Sequence, residues 1–170
     1  MKEENNKEVW VYANTFGGKR RPFWWKLDDN YSISIIRYFN LKDIGLTQRK
    51  NKIKKVELEA LHQFLSFTEE KSLANDVAKL YSGDEKNGLG EFLYESLDWN
   101  NTKSQLSGQL GVIFTLSKAW KHNGKKINMK FLKLSKNWLP LLKEYYNSAR
   151  NKVSQSFIEN NIKEFFFRKD

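Results

Sequence analysis

Residues 102–131 read TKSQLSGQLGVIFTLSKAWKHNGKKINMKF. Leu106, Leu110, Ile113 and Phe114 recur at the spacing of one helical face, which predicts a helix from about Lys103 to Phe114 with those four inward. Asn100, Asn101 and Thr102 stand just before it, and any of the three can cap its first turn. Asn123-Gly124 then predicts a tight hairpin, because both central positions of a type I′ turn need positive φ. A short strand before the pair and the alternating KINMKFLKL after it supply the two arms.

The remaining face of that helix carries Lys103, Ser104, Ser107, Gly108, Gln109 and Gly111. Glycine inside a helix costs roughly 1 kcal/mol against alanine, so these glycines need a reason. One reason is close packing, since Ser104, Gly108, Gly111 and Thr115 form a stripe on which another element can lie. The other is access to a DNA major groove ~12 Å wide, which a helix enters best when its outward side chains are slender. On that reading Gln105 and Gln109 reach base edges, Ser104 and Ser107 bond to phosphates, and Lys103 adds a charge.

Upstream, EFLYESLDW predicts a short helix, and residues 52–83 predict two more. Ile53, Val56, Ala60, Leu61, Phe64 and Leu65 keep the 3.6 period; Ser66 and Glu69 have the capping-box spacing of a new start; Gly83 stands where a C-cap belongs. RKNKIKK, residues 49–55, is a basic run leading into the first of these helices. Residues 8–40 read as β. EVWVYANT and FWWKL are strands on either side of the turn Phe16–Pro22, and YSISIIRYF is a third whose alternation slips at Ile36, as at a bulge or a switch to helix. Downstream, residues 137–167 read as one long helix or two, opened by Asn137 and Pro140 and carrying Leu141, Leu142, Tyr145, Ala149, Val153 and Phe157. The expected class is α+β: an N-terminal β-hairpin or small antiparallel sheet over residues 1–48, then a mainly helical body over 49–170, as two units or one domain.

Helix, turn, helix, hairpin is also the order of elements in a winged helix-turn-helix domain, and residues 90–134 resemble that family. Leu93-Tyr94-Glu95-Ser96-Leu97 stands where the family's first helix carries L-A-x-x-L, and Leu106-Ser107-Gly108-Gln109-Leu110 where the second carries V-S-x-x-L. Lys121-His122-Asn123-Gly124-Lys125-Lys126 stands where the wing lies. The stretch from Leu97 to Leu106 is longer than the compact turn of the family. The resemblance implies a unit whose second helix enters a groove while Lys121, Lys125 and Lys126 rest on the sugar-phosphate backbone.

Thirty Lys and Arg against twenty Asp and Glu leave a net charge of +10, which favours polyanions, nucleic acid first among them. The densest basic and aromatic cluster is GGKRRPFWWK, residues 17–26. Lys19, Arg20 and Arg21 on a glycine turn suit phosphate, and Trp24 or Trp25 suits a stacked base. The favoured reading is duplex DNA binding without catalysis, through Arg20, Arg21, Lys103, Ser104, Gln105, Ser107, Gln109, Lys121, Lys125 and Lys126. The rival is a protein-interaction module, such as a phage or host factor acting on a nucleoprotein, anchored by Trp24, Trp25, Phe165, Phe166 and Phe167. A nuclease or other enzyme comes third. The chain has no cysteine, only His62 and His122, and neither G-x-S-x-G nor H-E-x-x-H, so neither metal nor cofactor is expected. His62, beside Leu61 and Phe64, reads as structural. MKEENNKE lacks the apolar segment of a secretory signal and no run approaches the ~20 apolar residues of a membrane span, so the expected compartment is the cytoplasm, and the Asn-Lys-Ile bias matches an AT-rich bacterial or phage genome.

Overall fold

The computed structural model describes residues 9–85 and 87–150. Four antiparallel strands, β1 (Val11–Asn14), β2 (Pro22–Leu27), β3 (Ile33–Leu41) and β4 (Gly45–Ile53), pair in sequence order. Helix α1 (Lys55–Phe64) follows, then β5 (Lys71–Ser72), α2 (Val77–Ser82), α3 (Leu89–Glu95), α4 (Asn101–Ser104) and α5 (Ser107–Leu116). The described chain closes with β6 (Trp120–His122), β7 (Lys130–Lys133) and α6 (Trp138–Ala149). β5, β7 and β6 form a second antiparallel sheet in that spatial order. The class is α+β, as expected.

Alternation sorts the first sheet into two covered faces. Phe23, Trp25, Ile33, Ile35 and Ile53 enter the main core, whereas Trp24 and Ile36 point the other way and cluster with Trp10 and Tyr38. Ile36 therefore marks neither a bulge nor a switch to helix. β3 runs unbroken with Ile35 on one buried face and Ile36 on the other, the pattern of a strand covered on both sides. Most of RKNKIKK is strand as well: residues 49–53 end β4. β4 is an edge strand, and its exposed Arg and Lys side chains disfavour pairing with another chain.

Ser66 behaves as a cap without a helix. Its Oγ accepts from the backbone N–H of Thr68 (3.1 Å) and Glu69 (3.0 Å), but the chain turns into β5. The helix starts later, at α2, capped by Asp76 Oδ1, and Gly83 closes it at φ +80° as predicted. The helix predicted over 103–114 is two helices. Asn100 caps α4, and α5 lies at the centre of the fold, against β1, α3, β6 and α6. One cluster of buried side chains runs from Val11 in β1 to Tyr146 in α6, so the β-rich segment and the helical body share a core. Each fully buried aliphatic or aromatic side chain there contributes roughly 1.5–3 kcal/mol.

The hairpin is broader than Asn-Gly predicts. His122 pairs with Phe131, so residues 123–129 form a loop between β6 and β7. Asn123 Oδ1 accepts from Lys125 N–H (3.1 Å), its Nδ2 donates to the Asn128 carbonyl (3.0 Å), and Gly124 takes φ +77°. The pair makes the first bend of that loop. Val153, Phe157 and Phe165 to Phe167 lie outside the described residues.

His62 of α1 is structural. Trp120 Nε1–H donates to its Nε2 at 3.0 Å, so the other nitrogen carries the proton and donates to the Leu58 carbonyl at 3.1 Å. The rings of Phe114, Trp120 and Trp138 surround it. Burial first, with the Lys133 charge adding and the Leu58 carbonyl opposing, brings its pKa down to about 3.

Candidate nucleic-acid interface

The β1–β2 turn and the β6–β7 loop meet. The Phe16 ring stacks on His122 with centroids 4.5 Å apart and planes 15° off parallel, and His122 in turn packs on Phe131. This stack sets Lys19, Arg20 and Arg21 beside the loop carrying Lys125 and Lys126. The turn is held from within: Arg21 N–H donates to Thr15 Oγ1 (2.9 Å), Thr15 N–H to the Arg21 carbonyl (3.0 Å), and Asn14 Nδ2 to the Arg20 carbonyl (3.0 Å). All five cations are exposed, and none has a carboxylate oxygen within 4.0 Å among the described residues. Unpaired exposed cations gathered on one surface raise a local positive potential.

His122 does not add to that charge. Gly124 N–H donates to its Nδ1 (3.3 Å), so Nε2 carries the proton and donates to the Lys125 carbonyl (3.0 Å). Burial lowers its pKa from the ordinary value, partly offset by the Lys125 carbonyl, so it is neutral at pH 7 and acts by stacking.

Next to the turn lies a cleft of about 350 Å³ whose lining includes Phe16, Lys19, Arg21, Arg37, Phe39, Gln105, Gly108 and Gln109 and, among the described residues, no Asp or Glu. Arg37 is 5% exposed. Its Nη1 donates to the Thr102 carbonyl and its Nη2 to Asn51 Oδ1, both at 3.2 Å, while Nε has no partner among the described residues. Burial and the neighbouring Arg49 push its pKa down to about 10, which leaves it charged at neutral pH. Arg37 and Arg49 both lie against the Phe39 ring. Gln109 is 7% exposed and its Oε1 is also without a partner.

Of the residues expected to touch nucleic acid, the structure brings Arg21, Gln105 and Gln109 into this cleft. Arg20 and Lys126 line a shallower depression with Val112 and Leu116, and Lys125 is exposed on the loop. The others are elsewhere. Ser104 and Ser107 are fully buried, so neither reaches a phosphate at the surface. Lys103 lies over the Trp99 ring, 4.3 Å from its centroid. Lys121 alternates with Trp120 and His122 and so points from the opposite face of β6.

The small-residue stripe packs in part: Ser104 is buried and Gly111 lies against a ring, whereas Gly108 lines the cleft. A Cβ on Gly111 would come within 2.8 Å of the Phe131 ring, so glycine lets α5 lie tight on β7. The helix that the winged-helix resemblance would send into a groove is buried from Gln109 to Phe114, and Gly108 opens only onto the cleft. Trp24 and Trp25 are 0% exposed, on opposite faces of β2, so neither offers a ring to a base or to a partner protein.

Arg37 escaped the sequence reading although its signal was present: residues 33, 35 and 37 share a face of β3, so Arg37 continues a buried apolar row. No family model, curated protein or solved structure matches the chain. Among the described residues no helix is long and apolar enough to cross a membrane, and no group of three or more His, Cys, Asp or Glu is placed to hold a metal ion.

Proposed function

We propose that this protein binds nucleic acid by its phosphates, on the surface shared by the β1–β2 turn and loop 123–129. The observation that carries this reading is the Phe16–His122 stack, which brings two basic turns distant in sequence side by side, with no carboxylate oxygen within 4.0 Å of their cations among the described residues. Such a surface contacts backbone rather than base edges, because most of α5 is buried and its uncovered start only lines a cleft of about 350 Å³. Affinity then depends on salt and little on sequence. Duplex DNA is the first ligand to test.

Mobility shift at increasing salt is expected to show a linear fall of log affinity with log salt. Lys125→Glu with Lys126→Glu is expected to make that slope shallower by about 0.9 for each phosphate that the variant no longer neutralises. Phe16→Ala changes no charge but uncouples the two turns, and is expected to weaken binding as well. Binding that ignores salt, or that survives reversal of Arg20, Arg21, Lys125 and Lys126 together, would overturn the reading.

A further inference from the structure

The cleft beside the cationic surface has features that backbone contact does not use. A guanidinium has five N–H donors, and only two of those on Arg37 are spent, on Thr102 and Asn51. Desolvating a cation without a counter-charge is costly, and an anion held against it recovers that cost. Lys19 and Arg21 flank the same space, so three cations line it and, among the described residues, no carboxylate does. Phe16 and Phe39 contribute apolar wall, and the amide of Gln109 is buried with Oε1 unspent. A volume of about 350 Å³ falls in the range of clefts that hold small molecules, ~300–1,000 Å³. A phosphomonoester carries about −1.5 to −2 charges at neutral pH, more than one diester, and so gains more from three converging cations.

We propose that the cleft takes a single nucleotide by its phosphomonoester, with Arg37, Arg21 and Lys19 on the phosphate and Gln109 on the sugar or base. This rests on the nucleic-acid reading above and adds an end-specific site to it. The nucleotide has two sources, the phosphorylated end of a strand or the free monophosphate, and the same chemistry recognises both.

The test compares one short DNA strand with a 5′-phosphate, a 3′-phosphate or hydroxyls at both ends, by fluorescence anisotropy, and titrates a nucleoside 5′-monophosphate separately. One phosphorylated end is expected to bind roughly tenfold or more tightly than the hydroxyl strand. Arg37→Gln is expected to remove that preference while hydroxyl-strand binding persists. Because Arg37 is buried and bonded, a second variant guards against misfolding. Gly108→Asp puts a carboxylate on the cleft wall, where a Cβ meets nothing nearer than Asn75 Nδ2 at 3.8 Å and where the start of α5 favours a negative charge. It is also expected to abolish the preference. Lys125→Glu with Lys126→Glu is expected to weaken all three strands and keep their ratio. Monophosphate binding that Gly108→Asp removes, with no end preference among strands, assigns the cleft to the free nucleotide. Equal strand affinities with no monophosphate binding, or a preference that survives both cleft variants, overturns the proposal. Absence of salt-dependent binding to the hydroxyl strand and to duplex DNA alike would instead overturn the backbone reading, so the two failures are distinct.

Discussion

Acidification from pH 7 to pH 4 is expected to destabilise this protein by about 3 kcal/mol through His62 alone. The folded state holds the ring neutral, with a pKa brought down to about 3, whereas an unfolded histidine titrates near its ordinary 6.5. Between those values the unfolded chain binds the proton and the folded chain refuses it. Stability from this group is therefore complete above pH 6.5 and declines as pH falls toward 3. The structural reason is a direct conflict: a proton on Nε2 would face the indole N–H of Trp120, donor against donor, inside a cage of aromatic rings. Urea midpoints measured at several pH values would show the slope, and the same series on His62→Phe isolates it. The variant is less stable at pH 7 because Trp120 Nε1 loses its acceptor, by about 1–3 kcal/mol, but its stability falls less steeply with acid. Parallel pH curves for the two proteins would remove His62 as the cause.

Gly90→Ala is expected to cost about 3 kcal/mol, at the upper end of overpacking, whereas Gly108→Ala leaves stability unchanged or raises it by about 1 kcal/mol. Neither glycine has a positive φ, so only space separates them. A Cβ on Gly90 would lie 2.1 Å from the Ala74 carbonyl oxygen and 2.8 Å from its carbonyl carbon. Both atoms are backbone, and Gly90 N–H is tied to the Leu73 carbonyl at 2.9 Å, so nothing nearby yields cheaply. Around Gly108 the same methyl finds only Asn75 Nδ2 at 3.8 Å. Thermal unfolding of the two variants side by side distinguishes them, and similar melting temperatures would contradict the packing described for α3.

The strands on either side of the first turn, helix α1, a cap within Asn100–Thr102 and the Gly83 stop were all legible, because each is written in residues that touch along the chain. The candidate site was legible in fragments: Arg20 and Arg21 on one turn, Lys125 and Lys126 on another. Their union depends on Phe16 meeting His122, a contact that no spacing rule announces. Strand β4 was hidden for a different reason. An edge strand needs little apolar alternation, and GLTQRKNKI shows its charges more plainly than its pairing.

Sequence alone determined the α+β class and the excess of positive charge and pointed to a structural His62, since composition and local periodicity are properties of neighbouring residues. Only the tertiary structure decided that α5 is enclosed. Ser, Gly and Gln are small or amphipathic enough to sit in a groove or under a neighbouring ring, and Phe131 settles which at Gly111. The same holds for Arg37. A side chain acquires its desolvation, its unspent N–H groups and its cationic neighbours from parts of the chain far from it in sequence, and these exist only once the sheet has closed over α5.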